Sequence, residues 1–301
     1  MRIVSVLPSA TEIVWSLGHG CDLVGRSAEC DFPPEALRLP VVMRPRTLDS
    51  DRPSREIDAR VRAAREARES LYDLDIPLLR SLRPDLLLTQ DLCGVCSVTD
   101  QEVASACAEA GVRPRIVSVS PRRLEEVWSS VETIAEAIGD PRKGAEVATE
   151  LRARSRPRST GAGTTVAIVE WLDPPILAGL WAPEIVLAAG AVPLGPAPGT
   201  PAMRTSWDAL AKMAPELVVL SPCSFSVDRT RRELQDPALA DSAARVGARL
   251  GCVLADEAYF SRPGPRLADG IDLVRTLIAG GRGPFPMPAE RWTAGPRGVG
   301  S

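Results

Sequence analysis

Leu82-Arg83-Pro84-Asp85-Leu86-Leu87-Leu88 and Met213-Ala214-Pro215-Glu216-Leu217-Val218-Val219 lie 131 residues apart and share one pattern: apolar, any residue, proline, acid, leucine, two apolar residues. In each copy a breaker leads into a short apolar run of the kind that forms a buried strand. Each copy also follows an opening strand, at residues 3–7 and 165–170. The common order points to an internal duplication and to two similar α/β lobes built on parallel strands.

Other elements fit that frame. Residues 86–89 and 116–119 read as strands, Val24-Gly25-Arg26 begins another, and residues 51–70 form an Arg- and Glu-rich solvated helix face. Leu124, Val127, Trp128, Val131, Ile134, Ala135 and Ile138 recur with helical spacing, and Gly139-Asp140-Pro141 separates them from a second helical run reaching Arg154. The expected organisation is an N-terminal lobe over residues 1–120, a bridging helix over 121–156 and a C-terminal lobe over 164–282. A loose Gly- and Pro-rich tail is expected over 283–301. The fold class is therefore α/β, two Rossmann-like lobes joined by a long helix, with a ligand cleft between the lobes at the carboxyl ends of the strands.

Composition narrows the function. The chain has 301 residues, 45% of them apolar and 25% charged, with a formal net charge of −3, so neither nucleic-acid binding nor disorder is expected. No apolar run approaches the ~18 residues that insert into a bilayer. The single histidine, His19, cannot supply a His-based metal site or several catalytic imidazoles. Seven cysteines and an opening stretch without leader character read as a cytoplasmic protein.

The carboxyl-end loops hold the candidate site residues. Pro8-Ser9-Ala10-Thr11-Glu12 offers Ser9 or Thr11 as a helix N-cap whose backbone N–H groups could hold an anion; simple capping is the plainer reading. Gln90 and Asp91 end a strand. Trp171 and Trp181 flank a loop with Asp173 and suit a flat or cationic ligand, with core packing as the alternative. Tyr259 and Arg262 sit on a rigid Pro/Gly turn able to present a phenol and a guanidinium to a polar ligand. Cys93 and Cys96 form a CxxC that Cys30 and Cys223 could complete as a four-thiolate metal or iron–sulfur site; buried thiols or a redox pair are the alternatives. No GxGxxG or P-loop follows the first strand.

Several of these motifs in register resemble the cobalamin-binding-protein branch of ABC-transporter substrate-binding proteins. They are residues 3–14, Glu29-Cys30-Asp31-Phe32-Pro33-Pro34, residues 83–96, Glu170-Trp171-Leu172-Asp173-Pro174-Pro175, Ser221-Pro222-Cys223 and residues 259–267. The resemblance covers about residues 2–280. It implies the class III binding-protein fold, a small-molecule ligand such as cobalamin between the lobes, and an ABC permease partner if the chain is exported. Two family histidines are replaced here, by Ala28 and by Leu180.

Two functions follow. The first is a binding protein for a corrinoid or comparable ligand, using Trp171, Trp181 and Tyr259 as walls and Arg262 as an anchor. The second is a cytoplasmic biosynthetic enzyme on the same scaffold. There Glu29, Asp31 or Glu170 acts as general base in a cyclisation or displacement, and Arg44, Arg46 or Arg262 receives an anionic leaving group.

Overall fold

The computed structural model describes residues 1–46, 52–67, 69–90, 99–158 and 163–294. The chain divides into two compact units, the first from residues 1–52, 56–154 and 262–265, the second from 53–55, 155–261 and 266–301.

The first unit is built on a six-stranded sheet of β1 (Ile3–Ser5), β2 (Leu23–Ser27), β3 (Val41–Pro45), β4 (Tyr72–Leu74), β5 (Leu86–Thr89) and β6 (Arg115–Ser118). The order is β4-β3-β2-β1-β5-β6, parallel throughout except for the antiparallel edge strand β4. Its helices are α1 (Pro8–Ser16), α2 (Ser54–Ala67), α3 (Ile76–Leu82), α4 (Asp100–Ala110), α5 (Leu124–Ile138) and α6 (Pro141–Arg154). Strands β1 and β5 are buried at every position, as continuous apolar runs in a sheet covered on both faces should be. Val4, Val42, Leu79, Leu87 and Val103 form one core cluster, and burying each such side chain contributes about 1.5–3 kcal/mol.

The second unit repeats the plan with β7 (Thr165–Leu172), β8 (Pro175–Leu177), β9 (Val192–Pro193), β10 (Met203–Arg204), β11 (Leu217–Leu220), β12 (Cys252–Ala255) and β13 (Ala289–Trp292). The strand order is β10-β8-β7-β11-β12-β13, with β9 also pairing β7. Helices α7 (Ala182–Ala189), α8 (Trp207–Met213), α9 (Val227–Glu233), α10 (Pro237–Ala244) and α11 (Leu267–Ile278) accompany it.

The duplicated motif has the same structure in both units. Helices α3 and α8 each open with a side-chain cap, Asp75 accepting from the Leu78 N–H and Ser206 from the Ala209 N–H. Each closes on a residue in the left-handed region, Arg83 at φ 44° and Ala214 at φ 49°, followed by proline. The acid of the motif then turns to the opening strand. Asp85 Oδ2 accepts the Arg2 N–H at 2.8 Å, and Glu216 Oε2 accepts the Thr165 N–H at 3.2 Å. The next residue enters the parallel ladder, Leu86 opposite Ile3 and Leu217 opposite Val166.

Two expectations change in detail. The helical stretch expected over 121–156 is a pair of helices, both in the first unit. Gly139, at φ 96°, ends α5, and the Asp140 carboxylate accepts the Lys143 N–H to begin α6 behind Pro141. Arg152 on α6 joins the pair by donating to Glu125 and, through both terminal nitrogens, to Glu132; these hydrogen bonds hold the Glu132 carboxyl below its ordinary range. The tail expected to be loose from residue 283 contains β13, which runs antiparallel to β12 from Ala289 opposite Ala255 to Trp292 opposite Cys252. An edge strand of four residues among Gly and Pro carries too weak a periodicity to be read in advance.

Helices α5 and α6 approach closely because Gly144 lacks a side chain: a Cβ there would lie 2.4 Å from the Ala135 Cβ. Gly144→Ala should therefore destabilise the protein by about 1–3 kcal/mol through overpacking, although alanine is the better helix former by roughly 1 kcal/mol. Urea unfolding measures the sign; a stabilised variant would mean that the helices separate at little cost.

Candidate functional site

Each unit gathers its unusual side chains in the loops beyond the carboxyl ends of its parallel strands, where open α/β sheets place their ligands. In the first unit these loops follow β1, β2 and β5. Helix α1 starts directly at Pro8, whose missing N–H suits the first helical position. Its N-cap is Leu7, without a side-chain cap, so neither Ser9 nor Thr11 caps the helix as expected. Thr11 is instead fully buried and used internally: its hydroxyl lies 2.9 Å from Ser5 Oγ and donates to Cys30 Sγ at 3.1 Å. Burial pushes the Cys30 thiol up to about 11, against the smaller opposing effect of the Thr11 hydrogen bond. Cys30 is therefore a protonated packing residue at neutral pH.

Arg262 takes a different role from the ligand anchor read in the sequence. The segment 262–265 belongs to the first unit, and the Arg262 guanidinium donates to Glu12 Oε1 at 2.9 Å and to Asp31 Oδ1 at 2.6 Å. The Glu12 and Arg262 side chains are 2% and 8% exposed, whereas Asp31 remains 60% exposed, so the tight element is a desolvated ion pair with one open carboxylate at its rim. The segment lies on the first turns of α1: a Cβ at Gly264 would stand in ordinary van der Waals contact, 3.4 Å from Glu12 Oε2 and 3.5 Å from Ser9 Cβ. Glu12 was not singled out from sequence. The available signal is that it carries the only charge in α1, in a row of otherwise apolar and small residues, and a charge so placed needs a buried partner.

Among the described residues, two polar atoms at these loops have no hydrogen-bond partner: Ser9 Oγ and Gln90 Oε1, on residues 0% and 7% exposed. Glu29 is half-buried, its N–H donating to Ser27 Oγ at 3.3 Å. Asp91, Cys93 and Cys96 lie outside the described residues. Among the described residues, no group of three or more His, Cys, Asp or Glu is placed to hold a metal ion.

In the second unit, Trp171 near the end of β7 packs at 5.4 Å and 51° against Phe225. The Arg229 guanidinium covers Phe225 at 4.3 Å and pairs with Glu233 at 2.8 Å. The Trp171 indole N–H is buried with no partner among the described residues. Phe225 and Arg229 had no sequence signal beyond lying after a strand. Trp181 is corrected from a cleft wall to a core residue, 4% exposed, with its indole N–H donating to the Phe260 carbonyl at 2.8 Å. Tyr259 is also buried, with Arg266 5.4 Å from its ring centre; burial raises the pKa of its phenol. Asp173 is half-buried before Pro174, and the Glu170 carbonyl accepts the N–H of Cys223, a free and half-buried thiol. The Ala28 N–H donates to the Met43 carbonyl at 2.8 Å. Leu180, at φ 53°, donates its N–H to the Thr200 carbonyl at 2.7 Å.

The Arg262 geometry makes two expectations measurable. Arg262→Ala leaves Glu12 buried without its cation and should cost about 3–5 kcal/mol. Adding Glu12→Gln should recover much of that loss in urea unfolding, and an additive double variant would show that the pair does not interact. Cys30 should resist iodoacetamide at pH 8 in the folded protein while the exposed Cys21 reacts. Peptide mapping separates the two, and equal labelling would contradict the burial of Cys30.

No protein-family model matches the chain. It is 22% identical over 283 residues to a vitamin B12-binding protein of Vibrio cholerae serotype O1, covering 92% of this chain and 88% of that one. A periplasmic heme-binding protein from Pseudomonas aeruginosa matches in structure with a TM-score of 0.70 at 22% identity, covering 97% of this chain and 98% of that one. A periplasmic vitamin B12-binding protein of Vibrio cholerae matches with a TM-score of 0.59 at 21% identity, covering 92% and 96%. These neighbours are periplasmic, which overturns the cytoplasmic location read from the sequence, and nothing among them supports a biosynthetic role. Across nearly its whole length the chain thus has the two-lobed α/β architecture of periplasmic heme- and vitamin B12-binding proteins, the class III substrate-binding fold.

Proposed function

We propose that this protein is the ligand-binding component of an ABC transporter and that it captures a large, flat, ring-bearing ligand, with cobalamin as the leading candidate. The observation that carries this reading is the near-complete coverage, in sequence by a vitamin B12-binding protein and in structure by heme- and B12-binding proteins. The side chains support it. Trp171 offers an aromatic surface and an unused N–H, and Ser9 and Gln90 offer unused oxygens. Within each unit, a ligand that reaches such atoms gains buried area and repairs polar groups that cost free energy while unpaired. Arg262 supports the site through Glu12 and does not bind the ligand directly. An ABC permease is the partner this function requires.

The enzyme reading gains no comparable support. Asp31, offered there as a base, is engaged by Arg262 at 2.6 Å, and the same contact occupies the guanidinium offered to a leaving group.

Titration of the full chain with cyanocobalamin, followed by tryptophan fluorescence and calorimetry, tests the proposal. One-to-one binding at micromolar Kd or tighter is expected, with Trp171→Ala weakening it by about tenfold or more. Binding of hemin but not cyanocobalamin would reassign the ligand within the ring class. Binding of neither would overturn the proposal.

A further inference from the structure

The first unit contains a pocket at the amino-terminal ends of β1 and β5, the opposite ends of the strands from the loops just described. It has a volume of about 570 Å³ and is lined by Arg2, Pro77, Arg80, Ser81 and Arg83. We propose that it is a second binding site, for a multiply charged oxyanion of the phosphate class.

Three arginines line one pocket, and the guanidinium groups of two of them are held in place by neutral partners. Arg2 Nε donates to the Leu82 carbonyl at 2.6 Å. Arg80 donates through Nε to the Ala110 carbonyl at 3.1 Å and through Nη2 to the Glu109 carbonyl at 3.0 Å. Carbonyl partners fix a guanidinium plane without cancelling its charge, unlike the carboxylates that hold Arg262. Asp85 offsets part of that charge, with Oδ2 on the Arg2 backbone N–H at 2.8 Å. The balance still favours an anion, and planar forks of N–H donors match phosphate oxygens in pairs. The volume falls in the range of small-molecule sites.

The duplication supplies an internal control. In the second unit the residues equivalent to Arg2, Arg80 and Arg83 are Thr165, Ala211 and Ala214. Ala214 adopts the same left-handed conformation as Arg83, and Thr165 makes the same backbone bond to its acid as Arg2. The backbone therefore forms without any of the three arginines. The dipole of α3 favours cations at its C-terminus and accounts in part for Arg80 and Arg83. It does not account for Arg2, which precedes a strand.

The control also prescribes the variant: Arg2→Thr with Arg83→Ala places in the first unit what the second already tolerates. Inorganic pyrophosphate titrated into the full chain at low ionic strength should bind one-to-one and saturably, as measured by calorimetry. The double variant should bind at least tenfold more weakly with an unchanged Tm, and Trp171→Ala should bind pyrophosphate like the parent. Absence of saturation, or equal binding by the double variant and the parent, would overturn the proposal. So would tighter binding of oligoglutamate than of pyrophosphate, which would assign the pocket to an acidic protein segment.

Discussion

Parallel strands have no tight turn to set their register, and in both sheets one acid takes over that task. A hairpin fixes which residues face each other through the geometry of its turn, whereas parallel neighbours are joined by long crossovers. Here Asp85 holds residue 2 from both sides: its carboxylate accepts the Arg2 N–H, and its own N–H donates to the Arg2 carbonyl at 2.8 Å. Glu216 does the same to Thr165, with its N–H on the Thr165 carbonyl at 3.0 Å. Two bonds between one pair of residues leave the following strands a single register, Leu86 beside Ile3 and Leu217 beside Val166. A slip by one residue would turn every side chain to the opposite face. The far ends of these strands carry the candidate site loops, so the position of those loops depends on bonds made at the opposite edge of the sheet.

Charge burial imposes the next constraint. Glu12 is nearly inaccessible on an uncharged helix, and a carboxylate in that position requires a cation that is equally desolvated. Arg262 arrives from 250 residues away in sequence to supply it. The short, Pro- and Gly-bounded segment that carries Arg262 costs little to order, and Gly264 lies beside Ser9. The guanidinium is thus consumed by stability at the place where sequence reading assigns it to recognition.

That difference marks what the sequence could reveal. Core strands were legible because breakers bracket continuous apolar runs: residues 86–89 were read without error, and helix α5 was read with the same first and last apolar residues that the structure shows. The antiparallel strands β8, β10 and β13 were not, since two to four residues cannot display a period. At the site, the loops were legible and the roles were not. Thr11 and Cys30 were read as separate candidates, but their hydroxyl and thiol satisfy each other. Trp181 stands after a strand in the manner of a ligand wall, but its N–H is already committed to Phe260. Sequence position gives a side chain's neighbourhood; which of its bonds are already made depends on partners far away in the chain.

Unspent hydrogen-bonding capacity is then the more discriminating guide to where a ligand engages. A buried polar atom without a partner costs about 1–3 kcal/mol, and folded proteins hold few of them. Arg26, Arg275 and Arg291 each leave Nε idle, but their other nitrogens donate to backbone carbonyls, so those side chains are largely satisfied. Trp15 leaves its indole N–H idle near the far end of α1, so one idle donor does not define a site. Ser9 and Gln90 in the first unit and Trp171 in the second differ in location: each lies at or beyond the carboxyl end of a parallel strand of its own sheet. Under the proposed function, the deficit at such an atom would become affinity on binding, because its desolvation is already complete before a ligand arrives.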